Sequence, residues 1–261
     1  MKKRFIWERT AQWMLVLLCA FTIKQYYSEA GANELRWILA PTAALVEMAS
    51  GVSFEFESHA GYISDDRTFL IAPSCAGVNF LITAFLMLSA RRLLRDRSAG
   101  NAWEFIPAAA LIAYVATLFA NTVRIVIALR PESLPGSNYL SSSQLHRIEG
   151  IFVYFGFLLA LFIASEKLSS GKRTGLMRQT LYPLLIYYAT TIALPLANGA
   201  YRQGGAFFEH SIFVLLIPLL VILPFAVSGW LLGRINAYSL SGGSKVRSAS
   251  RAQAMLRRLI L

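Results

Sequence analysis

The chain has 261 residues, 56% of them hydrophobic and 15% charged, with a net charge of +11. Soluble domains carry about 25% charged residues. Several apolar runs here approach the roughly 20 residues that cross a hydrocarbon core of about 30 Å. These figures exclude a soluble globular enzyme, a disordered tail, a secreted disulfide scaffold and a repeat solenoid. They predict an all-α polytopic membrane helix bundle.

The first predicted span covers 10–28. Residues 2–32 also resemble a signal peptide, with a basic start, an apolar core and Ala30-Gly31-Ala32 as a cleavage site. Lys24 and the tyrosine pair at 26–27 suit an interfacial anchor instead, so the segment is expected to be retained. Cys19 sits mid-span as packing, and Leu18 before it makes a poor lipoprotein acylation site. The stretch 36–52 is weaker, carrying Pro41 and Glu47 and ending in Gly51. It reads as a peripheral or re-entrant helix. Residues 52–57, Val-Ser-Phe-Glu-Phe-Glu, alternate with a period of two, His59-Ala60-Gly61 supplies a turn, and 62–63 with 69–71 form a return. A small β-hairpin-like element is expected over about 52–71, resting on the membrane domain because a lone hairpin is marginal in water. Five further spans follow at 69–90, 105–124, 148–166, 179–198 and 211–233, making about six.

Charge sets the expected topology. The segments 1–9, 91–104, 166–178 and 234–261 hold 18 of the 25 Lys and Arg, and four of the 14 acids. The positive-inside rule places these segments and both termini in the cytoplasm. A spanning 36–52 would reverse every later loop, which supports the peripheral reading. A single transmembrane domain is expected over 1–233, with a basic cytoplasmic tail over 234–261. The tail suits lipid headgroups and topology determination better than nucleic acid. The expected location is the cell (inner) membrane.

Polar groups in spans are costly, so each is a candidate for function. Cys75 lies in Pro73-Ser74-Cys75-Ala76-Gly77 at the non-cytoplasmic end of the second span. A lone cysteine commonly serves as a small buried hydrophobe. Here Pro73 favours a helix start, where the dipole lowers a thiol pKa. Gly77 lets another backbone approach, and Asn79 shares the face of Cys75. Arg124 ends the third span, as a snorkelling side chain or a functional one, with Asn121 on its face. His146 opens the fourth span, and His210 is its rival at the same depth, while His59 sits in the hairpin turn as a solvated residue. Three helices thus bring a thiol, a guanidinium and an imidazole to one membrane face. Nucleophilic catalysis needs those parts: a thiolate, a base and a donor for developing oxyanion charge. Two cysteines without a C-x-x-C argue against disulfide exchange and thiolate zinc, and no metal or cofactor is expected.

Ser74-Cys75-Ala76-Gly77, then Asn121-Thr122-Val123-Arg124, then His146 with Gly150 four residues on, resemble the exosortase/archaeosortase family over about residues 50–160. The Cys-Ala-Gly-Val-Asn-Phe form is most like the exosortase K subgroup. Ala76 stands where the family commonly has Ser, which puts a role for that hydroxyl in doubt. The resemblance implies a membrane cysteine protease or transpeptidase that cleaves C-terminal sorting signals. Its partners would be membrane-anchored substrates with a short motif, an apolar span and a basic cytoplasmic end. It implies Cys75 as nucleophile, Arg124 as stabiliser of thiolate or oxyanion, and His146 as base and then acid. Ser74, Gly77, Asn79 and Asn121 are the supporting residues. The thioester would pass to an amine on a lipid or surface glycan, or to water. A transporter and a non-catalytic assembly factor for surface polysaccharide export are the alternatives.

Overall fold

The computed structural model describes residues 2–95, 102–130, 142–170, 176–197, 199, 202, 204–205, 207–224 and 227. The predicted basic tail, 234–261, and the last part of the sixth predicted span lie outside the described residues. Two compact units divide the chain, Met1–Pro218 and Leu219–Leu261. Every candidate site residue lies in the first.

Helix α1 covers Lys2–Glu29 and α2 covers Arg36–Ser50. The 15 residues of α2 rise about 22 Å, too little to cross a bilayer. Ile38, Leu39, Ala43 and Val46 form its buried face. Trp37 stacks on Tyr114 at 5.7 Å, and the Tyr114 hydroxyl donates to the Trp37 carbonyl at 2.8 Å. Glu47, out of place in an apolar stretch, accepts from the Phe54 backbone N–H at 2.7 Å and so ties α2 to the strand that follows.

The predicted hairpin is a three-stranded antiparallel meander: β1 (Phe54–Glu57), β2 (Gly61–Ser64) and β3 (Leu70–Ile71). Phe54 pairs with Ser64, and Tyr62 with Ile71. A second turn at 65–68 separates what looked like one returning arm. There the Asp66 carboxylate accepts from the Ser64 hydroxyl (2.6 Å), the Thr68 N–H (3.1 Å) and the Thr68 hydroxyl (2.8 Å). These donors hold the Asp66 carboxyl below its usual range. Phe54 and Ile71 enter an apolar cluster with Leu35, Leu39 and Val46, which anchors the sheet on the helices.

A 3-10 turn at Pro73–Cys75 leads into α3 (Val78–Arg95), then α4 (Ala102–Ala128) and α5 (Ser142–Ser170). Helix α6 (Leu176–Tyr188) passes through a π-helical turn, Ala189–Ala193, into α7 (Leu194–Ala197). The last described helix, α8, is Phe207–Pro224. Four described segments are long and apolar enough to cross a membrane: Pro73–Arg95, Trp103–Ala128, Gln144–Leu168 and Phe207–Pro224. That is fewer than the six expected. Helix α1 is long, but Glu8, Arg9 and Lys24 interrupt its apolar run. The expected span at 179–198 is divided where the helix changes to π geometry. The helical membrane bundle itself stands.

At the end of α3 far from the sheet, two arginines of the first predicted cytoplasmic loop are not loop residues. Arg91 Nε donates to Glu166 Oε1 at 2.7 Å and Arg95 reaches the same oxygen at 3.1 Å. Arg91 and Glu166 are 6% and 2% exposed, so this is a buried ion cluster. Glu166 lies twenty residues from His146 along α5, about 30 Å by helix rise.

Candidate active site

The sheet delivers the chain to Cys75. Ile71 is buried beneath the sheet, Pro73 starts the 3-10 turn, and the Cys75 N–H closes it on the Ala72 carbonyl at 2.8 Å. Gly77 then adopts φ +72° before α3 begins. A Cβ there would stand 3.2 Å from Thr117, 3.3 Å from the Tyr154 hydroxyl and 3.4 Å from Asn121. Glycine therefore serves both the left-handed backbone and the close approach of α4 and α5.

Asn121 is fully buried on α4, and its Nδ2 donates to the Cys75 carbonyl at 2.5 Å. Its Oδ1 accepts from the Tyr154 hydroxyl of α5 at 2.9 Å. Tyr154 in turn accepts from Arg124 NH1 at 3.2 Å, and its ring lies 5.5 Å beneath that guanidinium. Arg124 NH2 meets His146 Nε2 at 2.8 Å. Arginine only donates, so Nε2 is the acceptor and a neutral imidazole carries its proton on Nδ1. Gly150 makes this contact possible, because a Cβ there would come within 3.2 Å of Arg124 Nε. A continuous polar chain thus runs from the Cys75 backbone through Asn121, Tyr154 and Arg124 to His146.

Tyr154, Arg124 and His146 border a partly open cavity of about 470 Å³, whose lining includes Ser74 but neither Cys75 nor Asn121. Ser74, Gly77, Asn79, Arg124 and His146 line it, as do Arg147 and His210. Asn79 Oδ1 accepts from Lys24 Nζ of α1 at 2.8 Å, and Tyr27 of α1 also lines the cavity. Arg147 is 3.9 Å from Glu209. Both rival histidines therefore face one space, but His146 alone touches Arg124. His59 is exposed and pairs with Glu57 at 3.4 Å, on the sheet. His146 is the third residue of the apolar segment Gln144–Leu168 and so stands at the opening of that span, while α5 itself begins one turn earlier at Ser142.

The thiol is not yet joined to this chain. Cys75 is half-buried against the apolar cluster, and its Sγ makes no hydrogen bond among the described residues. Catalytic hydrogen bonds often tighten only when substrate is bound. Arg124 has no carboxylate partner among the described residues, so its charge is balanced only by neutral acceptors. No group of three His, Cys, Asp or Glu that could hold a metal occurs among the described residues. Reading the sequence missed Lys24, Tyr27 and Tyr154. The signal available was a lysine and a tyrosine one turn apart on α1, and Gly150 four residues before Tyr154 on α5.

A model of one family, described as transmembrane exosortase, matches residues 5–164, more than half of the chain. No curated protein and no solved structure matches it.

Proposed function

Since the chain belongs to the transmembrane exosortase family, we propose that it is a membrane cysteine transpeptidase or protease. It acts on C-terminal sorting signals at the non-cytoplasmic face of the cell membrane. The observation that carries this reading is the Arg124–His146 contact, linked through Tyr154 and Asn121 to the residue that bears the thiol.

The steps follow from these groups. As substrate enters, Arg124 turns from His146 Nε2 toward the carbonyl oxygen. The freed Nε2 takes the Cys75 proton, and the thiolate forms a C–S bond with the peptide carbonyl. The developing oxyanion is met by the guanidinium, which no carboxylate among the described residues neutralises. Collapse breaks the C–N bond, and the imidazolium returns its proton to the leaving amine of the anchor fragment. The thioester then acylates an amine or hydroxyl of a lipid or surface glycan, or is hydrolysed.

Co-expression with a tagged carrier ending in motif, apolar span and basic tail tests this. Wild type and His210→Ala should release or transfer the carrier. Cys75→Ala and His146→Ala should leave it anchored while remaining inserted themselves. Processing that survives Cys75→Ala removes the nucleophile assignment.

A further inference from the structure

Tyr27 of α1 stands at the seam between the cavity and the thiol. The cavity lining includes Ser74 and Gly77, which flank Cys75 in the chain, while Cys75 itself packs on the apolar cluster. Two described residues, Tyr27 and Val78, belong both to the lining and to that cluster. Of these, Tyr27 carries a hydrogen-bonding side chain. Lys24, one turn earlier on α1, holds it there. Lys24 Nζ donates to Asn79 of α3 at 2.8 Å and lies 5.4 Å from the centroid of the Tyr27 ring.

The other polar side chains around Cys75 are occupied. Asn121 donates to the Cys75 carbonyl, and Tyr154 donates to Asn121. Two hydroxyls beside Cys75, those of Ser74 and Tyr27, make no hydrogen bond among the described residues. Ser74 is exposed. Tyr27 is half-buried, and its phenol interacts electrostatically with both the Cys75 thiol and the Arg124 guanidinium. A donor shielded from water is worth more to developing charge than one in solvent.

We propose that Tyr27 is a second oxyanion donor, contributed by the N-terminal helix, for the carbonyl that Cys75 attacks. This rests on the function proposed above. As the C–S bond forms, the carbonyl π pair moves onto oxygen, and the Tyr27 O–H and an Arg124 N–H both donate to it. No proton leaves Tyr27. On collapse the pair re-forms the C=O bond and the C–N bond breaks. The amine departs with that bond's electrons and the proton from His146. The two donors come from different helices, α1 and α4, so the site is complete only when α1 is latched to α3 through Lys24 and Asn79.

The test is Tyr27→Phe, which keeps the ring and removes the hydroxyl alone. It is measured on the tagged carrier beside wild type, Cys75→Ala and Ser74→Ala. The kcat for processing should fall about a hundredfold with KM unchanged, because the hydrogen bond is made in the transition state only. Ser74→Ala should cost less, and a larger loss there would move the donor to Ser74 and overturn the proposal. Alkylation of Cys75 by iodoacetamide, in a Cys19→Ala background, is the second readout. It displaces iodide and forms no oxyanion, so its rate should not change with Tyr27→Phe. Processing and alkylation that fall together would make Tyr27 structural and overturn the donor, as would a raised KM with kcat intact. Wild-type processing by Tyr27→Phe, with Cys75→Ala inactive, overturns the donor and leaves the catalytic reading standing. A carrier left whole by every form, wild type included, overturns the catalytic reading and the donor with it.

Discussion

Two polar clusters sit at opposite ends of the same helices, and they are built on opposite principles. At the far end, Glu166 binds Arg91 and Arg95, and the pair with Arg91 is almost wholly removed from solvent. At the sheet end, Arg124 is surrounded by a tyrosine hydroxyl and an imidazole, with a cavity beside it. The first cluster sets one carboxylate between two guanidinium groups, closed in by helix packing. The second holds a cation with no carboxylate partner among the described residues. A buried ion pair enclosed by packed helices belongs to architecture, whereas a guanidinium at a cavity wall, with no carboxylate among the described residues, is poised for charge that appears during reaction.

Substitutions can break this contrast. The largest effect should come from Glu166→Ala, which leaves the buried Arg91 guanidinium without its carboxylate. A loss of about 3–5 kcal/mol of stability is expected, read as earlier unfolding in detergent. The folded fraction should process substrate at the normal rate, and a specific activity that also falls would make the far cluster functional. Arg124→Gln should show the inverse. Processing should drop about 10²–10³-fold with unfolding nearly unchanged, because no ion pair is lost. An intermediate effect is expected from Gly150→Ala. Helix propensity gains up to about 1 kcal/mol, but the new methyl displaces Arg124 from His146. Activity should fall roughly tenfold, equivalent to ~1.4 kcal/mol in the barrier, in a protein that unfolds no earlier. Unchanged activity would show that the Arg124–His146 contact is incidental.

The smallest effect lies on the sheet. Hydrogen bonds hold the Asp66 carboxyl below its usual range. A depressed folded pKa contributes stability above the unfolded value of about 3.9, and that contribution disappears as pH falls through the folded value. The turn at 65–68 should resist proteolysis at about pH 5 and lose that resistance only in stronger acid. Asp66→Asn should be cut more readily at about pH 5, with the difference from wild type vanishing at the acid end.

Much of this was readable in the sequence where one local pattern dominates. Uninterrupted apolar runs announce α3, α4, α5 and α8, and alternation announces β1. Pro73 and Gly77 mark the turn that presents Cys75. Asn121 and Arg124 are on one helix face by their spacing alone. Other features depend on partners distant in the chain. Tyr154 looks like a packing aromatic in an apolar helix until α4 brings Asn121 and Arg124 to its hydroxyl. Lys24 and Tyr27 look like anchors at a membrane boundary, and only the packing of α1 against α3 turns them toward Asn79 and the cavity. Arg91 and Arg95 look like ordinary loop charge until Glu166 arrives from α5. The π turn has no marker in Ala-Thr-Thr-Ile-Ala that local propensity would reveal.

The spacing of His146 and Glu166 on one helix makes the protein a gauge of its host membrane. The two polar clusters, about 30 Å apart, bracket an apolar stretch about as long as a hydrocarbon core is thick, and departures between the two lengths cost fractions of a kcal/mol per Å. On the proposed function, a substrate anchored in the same bilayer would be measured against that length. One whose apolar span is three residues short carries its scissile bond about 4–5 Å too low. It would have to stretch, tilt or thin the bilayer to reach the thiol. Span length, and not only the recognition motif, would then decide which membrane proteins are cut.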